Sequence, residues 1–207
     1  VKIALLHGWS GDRALWSQLI PQLAGFDCHA DDRGYFGQPV AVGQADLVIA
    51  HSFGTMRALA HPPHGTRAVV AINGFDCFTA RPDFPAGVAP RVLERMVQRL
   101  GTDPLGTVSE FRRRCGALPP DLPLSPEPLI ADLDRLRGED HRGAWTGPLL
   151  VIHGARDPIV PATLQAATFA DRPDARRIVL DGHGHLAPLT AARSCAAAIR
   201  QFIAELG

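Results

Sequence analysis

Apolar and polar positions follow two rhythms along this chain. Short continuous apolar runs occur at Val1–Leu6, Cys28–Asp31, Leu47–Ala50, Ala68–Ile72, Leu149–Ile152 and Arg177–Leu180. Runs without alternation suit parallel strands covered on both faces. Between them, Ala14–Leu23, Gly54–Ala60, Ala162–Ala170 and Ala191–Leu206 read as helices. Strand and helix in turn predict an α/β fold, a mostly parallel sheet of about six strands with helices on both faces.

The rhythm breaks after the fourth strand. Residues 75–146 are rich in Pro, Arg and Asp and contain no strand-like run. Within Val88–Leu100, Leu93, Met96, Val97 and Leu100 share one helical face, while Arg91, Arg95 and Arg99 share the opposite one. Leu105–Cys115 and Pro126–Leu136 are two further helix candidates. The expectation is a core formed by residues 1–74 and 147–207, with residues 75–146 inserted as a small helical lid.

Composition removes several function classes. Twenty-one basic residues balance 21 acidic ones, which argues against a globally basic nucleic-acid binder. The four cysteines are scattered and form no CxxC pair, so neither a zinc knuckle nor a disulfide-stapled scaffold is indicated. No apolar run approaches the roughly 18 residues of a membrane span. The expectation is a soluble, cytoplasmic protein without cofactor, metal or membrane partner.

Four segments carry candidate chemistry. In Leu47-Val48-Ile49-Ala50-His51-Ser52-Phe53-Gly54-Thr55, an apolar strand runs into a serine flanked at two residues' distance by Ala50 and Gly54, and then into a helix. Small residues there permit the sharp turn that lifts a nucleophilic serine above a sheet. A serine capping a helix N-terminus is the plainer alternative. After the first strand, His7-Gly8-Trp9-Ser10-Gly11 offers a turn whose Trp9 N–H could join that of Phe53 as an oxyanion hole. His7, at a strand end before Gly8, reads as a residue that shapes this loop.

The third segment, His153-Gly154-Ala155-Arg156-Asp157-Pro158, places Asp157 just past a strand, where it could orient a histidine or simply form an Asp-Pro turn. The fourth, Asp181-Gly182-His183-Gly184-His185-Leu186, holds two histidines. His185, next to the apolar lead into the last helix, is the candidate base, and His183 the loop-shaping residue. Asp76, after the fourth strand in Asn73-Gly74-Phe75-Asp76, is the alternative acid. Oxyanion loop, Ser52, Asp157 and His185 each follow a predicted strand, in the chain order of the α/β-hydrolases. That fold, with a Ser-His-Asp triad acting on an ester through an acyl-enzyme, is the expectation.

The chain also resembles the pimeloyl-(acyl-carrier protein) methyl ester esterases of biotin synthesis over most of its length. Leu5-Leu6-His7-Gly8-Trp9-Ser10 with Trp16 is similar to that family's strand and oxyanion loop. Cys77-Phe78-Thr79-Ala80-Arg81, Pro85, Val88–Leu100, Thr107-Val108 and Phe111 look like the start of its lid, and His185 with Ala187-Pro188 like its catalytic loop. At the nucleophile the chain departs from the family's Gly-Trp-Ser-Leu-Gly-Gly, having Ala50-His51-Ser52-Phe53-Gly54-Thr55.

The resemblance implies a methyl ester carried on an acyl-carrier protein as substrate. Between Val88 and Leu118 six arginines (91, 95, 99, 112, 113 and 114) face three acids, a local charge that could steer an acidic carrier, with Arg112, Arg113 and Arg114 as its centre. A solvated helix face is the alternative. Phe75, Phe78, Phe84 and Met96 are candidates to line an acyl channel, the alternative being that some of them simply pack the lid core. Rival functions are a general short-chain carboxylesterase or thioesterase, a carbon–carbon hydrolase, and a non-catalytic ligand-binding member of the fold.

Overall fold

The computed structural model describes residues 1–120 and 123–207. Six strands, β1 (Lys2–Leu6), β2 (Asp27–Ala30), β3 (Leu47–His51), β4 (Ala68–Ile72), β5 (Leu149–Gly154) and β6 (Arg176–Leu180), form one sheet in the order β2-β1-β3-β4-β5-β6. All five pairings are parallel. Each strand lies within two residues of its expected ends. The central strands β1, β3, β4 and β5 are almost wholly buried, as continuous apolar runs require.

Alternate residues of those strands feed different layers. Ile3, Leu5, Leu47, Ile49, Val70 and Ile152 pack with Leu19 of α1 (Leu19–Gln22) and Ile199 and Phe202 of α8 (Ala192–Glu205). Ala4, Leu6, Val48, Ala50, Val69 and Val151 face the other way, toward Ala58 and Leu59 of α2 (Phe53–Ala60) and Phe169. A third apolar cluster sits beyond the strand ends. There Trp9, Phe53 and Phe75 meet Leu93 of α3 (Pro90–Thr102), Val108 of α4 (Pro104–Cys115) and Leu133 of α5 (Pro126–Gly138). These three helices lie between β4 and β5 in the chain. The remaining helices are short, α6 (Ala162–Ala167) and α7 (Ala187–Thr190).

One expected helix is divided. Ala14–Leu23 forms a 3-10 turn at Arg13–Trp16 and then the single-turn α1. Pro21 has no N–H to donate back to residue 17, so one continuous helix loses a bond where the break occurs. Among the described residues, no helix is long and apolar enough to cross a membrane. The sheet itself selects the site. β1 lies between β2 and β3, so consecutive connections leave in opposite directions, and the crevice beyond the C-terminal ends of β1 and β3 is the place such sheets leave open.

Candidate active site

Ser52 stands at that crevice, directly after β3, with φ 54° and ψ −127°. A side chain other than glycine's is strained there, and the turn survives because its neighbours leave room. A Cβ on Gly54 would lie 2.2 Å from the Leu6 carbonyl oxygen, and one on Gly8 2.8 Å from the Ser52 Cβ. The Ser52 side chain makes no helix-capping bond, which sets the plain N-cap alternative aside. Its Oγ lies 3.1 Å from His185 Nε2.

His185 Nδ1–H donates to Asp157 Oδ2 at 2.8 Å. Asp157 is held in turn by the N–H groups of Ile159 (2.7 Å) and Val160 (3.0 Å) on Oδ1, and by the Asn73 side-chain amide (2.7 Å) on Oδ2. Burial opposes its ionisation, but the attraction and hydrogen bond of His185 and the two backbone N–H groups outweigh it and hold the carboxyl below its ordinary range. Serine, histidine and carboxylate, 133 and 28 residues apart in the chain, thus form one buried relay. Such a relay can deprotonate the hydroxyl for attack on a carbonyl.

The alternatives identified in the sequence lie elsewhere. Asp76 accepts from Thr168 Oγ1 (2.9 Å), Phe169 N–H (2.9 Å) and Cys77 N–H (3.0 Å), tying the loop after β4 to the end of α6. His7 donates from Nδ1 to the Gly8 carbonyl (2.8 Å) and accepts at Nε2 from Arg33 N–H (3.0 Å), so neither nitrogen faces Ser52. His183 bonds Thr190 Oγ1 at 3.3 Å, and its carbonyl accepts from Arg156 N–H at 2.8 Å.

Trp9 and Phe53 flank the serine at the ends of β1 and β3. Among the described residues, no hydrogen bond uses the backbone N–H of either. The Trp9 indole is anchored outward, donating to the Leu129 carbonyl of α5 at 2.8 Å and meeting Phe111 of α4 edge-on.

A cavity of about 280 Å³ opens from Ser52 and Trp9 and is lined by Phe75, Phe78, Met96, Leu133 and Arg114. Three of the four expected channel residues are there; Phe84 is instead buried beneath the Arg142 guanidinium, outside the lining. A second cavity, of about 120 Å³, lies between the loop at Gly8–Asp12 and His185. The three arginines of α4 also part company. Arg113 and Arg114 are exposed, whereas Arg112 turns inward, donating to the Ser10 carbonyl (2.9 Å) and lying 3.5 Å from Asp12.

Two polar residues escaped the sequence reading. Asn73 follows β4 at φ 49°, a conformation asparagine tolerates, and reaches Asp157. His51 donates from Nε2 to the His185 backbone carbonyl at 2.8 Å, with the two rings 4.7 Å apart. Burial, reinforced by His185, pushes its pKa down to about 3. Their positions beside Ser52 and Asp76 were legible, but the partner of each lies over 80 residues away.

Comparison with known proteins supplies context. No family model matches the chain. It is 26% identical to a pimeloyl-(acyl-carrier protein) methyl ester esterase of Neisseria meningitidis serogroup A, over 98% of this chain and 76% of that protein. Proteins of the same name from Klebsiella pneumoniae (28% identity, covering 88% and 86%) and Aromatoleum aromaticum (27%, 97% and 97%) are also similar. Among solved structures, a bromoperoxidase from Bacillus anthracis superposes with a TM-score of 0.82 at 20% identity (98% and 91% covered). An esterase from Exiguobacterium antarcticum gives 0.82 at 17% (98% and 91%). The chain therefore has the α/β-hydrolase fold and resembles the pimeloyl-(acyl-carrier protein) methyl ester esterases.

Proposed function

We propose that this α/β-hydrolase-fold protein is a serine carboxylesterase whose substrate is the methyl ester of a carrier-bound dicarboxylate, as in the relatives named for pimeloyl-acyl-carrier protein. The observation that carries the reading is the relay from Asp157 through His185 to Ser52, set at the mouth of an apolar cavity.

In this mechanism Ser52 Oγ attacks the ester carbonyl while His185 Nε2 takes its proton, and Asp157 stabilises the resulting imidazolium. The N–H groups of Trp9 and Phe53 receive the negative charge that develops on the carbonyl oxygen. Loss of one such donor typically costs about 3 kcal/mol of barrier. His185 then protonates the departing alcohol. Water, deprotonated by the same imidazole, releases the acid from Ser52.

Substrate class rests on the surroundings. The apolar lining by Phe75, Phe78 and Met96 suits a methylene chain. In the same proposal the α3–α5 segment is the lid over that chain. Arg91 and Arg95 of α3 and Arg113 and Arg114 of α4 are exposed and take part in no salt bridge among the described residues, and they would meet an acidic carrier. Arg112, engaged with the loop at Ser10–Asp12, is left out of that patch.

The deciding measurement compares hydrolysis of pimeloyl methyl ester on acyl-carrier protein with hydrolysis of free dimethyl pimelate, with Ser52→Ala as the blank. Faster turnover of the carrier-bound ester supports the reading. Equal rates would make the protein a general short-chain esterase. No turnover of either, with no fluorophosphonate labelling of Ser52, would leave a ligand-binding member of the fold.

A further inference from the structure

Buried polar contacts away from the Ser52 relay converge on one carboxylate. Asp132 of α5 is fully buried. It accepts two parallel bonds from the Arg33 guanidinium, Nε and Nη2 both at 2.8 Å, and a third from the Tyr35 hydroxyl at 2.6 Å. Arg33 continues the chain of contacts. Its backbone N–H donates to His7 Nε2 at 3.0 Å, and the His7 Nδ1–H donates to the Gly8 carbonyl at 2.8 Å. That carbonyl also accepts Gly11 N–H and closes the turn that presents Trp9.

The same turn is gripped twice more by the inserted helices. The Trp9 indole donates to the Leu129 carbonyl, one turn before Asp132 on α5. Arg112 of α4 donates to the Ser10 carbonyl. Ser10 itself sits at φ 54°, so the loop holds a conformation that it would leave if released.

We infer that Asp132 is a positioning residue for the oxyanion loop, acting through Arg33 and His7 on the turn that aims the Trp9 N–H. The inference rests on the serine-esterase reading. Helix α5 is then a fixed part of the active site, holding the turn through both Asp132 and the Leu129 carbonyl. The charge relationship favours this assignment over plain stability. A bidentate pair with a third donor sets the angle of Arg33 as well as its distance, and Arg33 carries the backbone N–H that orients His7.

A trifluoromethyl ketone of the substrate's chain length tests it. Ser52 Oγ adds to the ketone carbon, the π pair moves to oxygen as an oxyanion, and the hydroxyl proton goes to His185 Nε2, so affinity reads the oxyanion donors. The matching methyl ketone, which resists addition, reads ground-state binding alone. For Asp132→Asn, trifluoromethyl ketone affinity and kcat should fall at least ten-fold, with methyl ketone affinity and KM changed less than two-fold. Should that variant fail to fold, the triple variant Arg33→Met/Tyr35→Phe/Asp132→Leu, which fills the same volume with apolar groups, should show the same split. Equal losses for both ketones, or none, in whichever variant folds would overturn the inference. A wild-type protein that forms no adduct with the trifluoromethyl ketone would instead refute the serine-esterase reading.

Discussion

The Asn73 side-chain amide donates to Asp157 on the same carboxylate oxygen that accepts from His185, at 2.7 and 2.8 Å. The carboxylate is thereby fixed from β4 as well as from its own loop. A hydrogen bond to a charged group contributes about 1.5–3 kcal/mol. If the relay is catalytic, Asn73→Ala should lower kcat by roughly ten-fold or more with KM nearly unchanged. Steady-state kinetics on a p-nitrophenyl ester would check it, and an unchanged kcat would leave Asn73 a packing residue.

Acid should weaken the fold through His51. Its folded pKa of about 3 lies below the 6.5 of a free histidine, so below about pH 6.5 the unfolded chain takes up a proton that the native state refuses. Stability from this group is complete above 6.5 and falls as pH drops toward 3, by up to about 1.4 kcal/mol per pH unit. His7 and His153, both lowered chiefly by burial, act in the same direction. Urea unfolding at pH 7.5 and pH 5 should show the loss, and His51→Gln should make the dependence shallower.

Gly54 admits no side chain. The methyl of Gly54→Ala would press on the Leu6 carbonyl oxygen, which belongs to the buried strand β1 and cannot step aside. Overpacking of this kind costs about 1–3 kcal/mol. Thermal melts should show a lowered midpoint, accompanied by slower fluorophosphonate labelling as the Ser52 turn shifts.

Chain-length preference should follow the volume between α3 and the strand ends. Val92→Phe places a ring in the 280 Å³ cavity without touching the Ser52 relay. Hydrolysis of p-nitrophenyl acetate should stay within two-fold of wild type, while the octanoate loses about ten-fold in kcat/KM. Parallel losses on both esters would show that the chain lies elsewhere.

Salt should separate the two kinds of arginine. Arg91→Ala/Arg113→Ala removes exposed charge away from the cavity lining and should slow only carrier-bound ester, with the difference fading as ionic strength rises. Arg112→Ala releases Ser10 and Asp12 and should slow free and carrier-bound esters alike.

Much of this protein is local in origin. Continuous apolar runs made β1 and β3–β5 legible because a strand buried on both faces needs no polar positions. Ser52 was legible because the turn that exposes it demands Gly54, and Asp157 and His185 because each follows a strand in a short loop. What the tertiary structure decided depends on partners distant in sequence. Only packing chose Asp157 over Asp76, since both follow strands and the difference is whether His185 or Thr168 stands opposite. Only packing turned Arg112 inward from its neighbours, buried Phe84 outside the cavity lining, and joined Asp132 to His7 through Arg33. Periodicity records which face of an element is covered; the hydrogen-bond partner waiting beneath that cover is fixed by the direction in which another segment arrives.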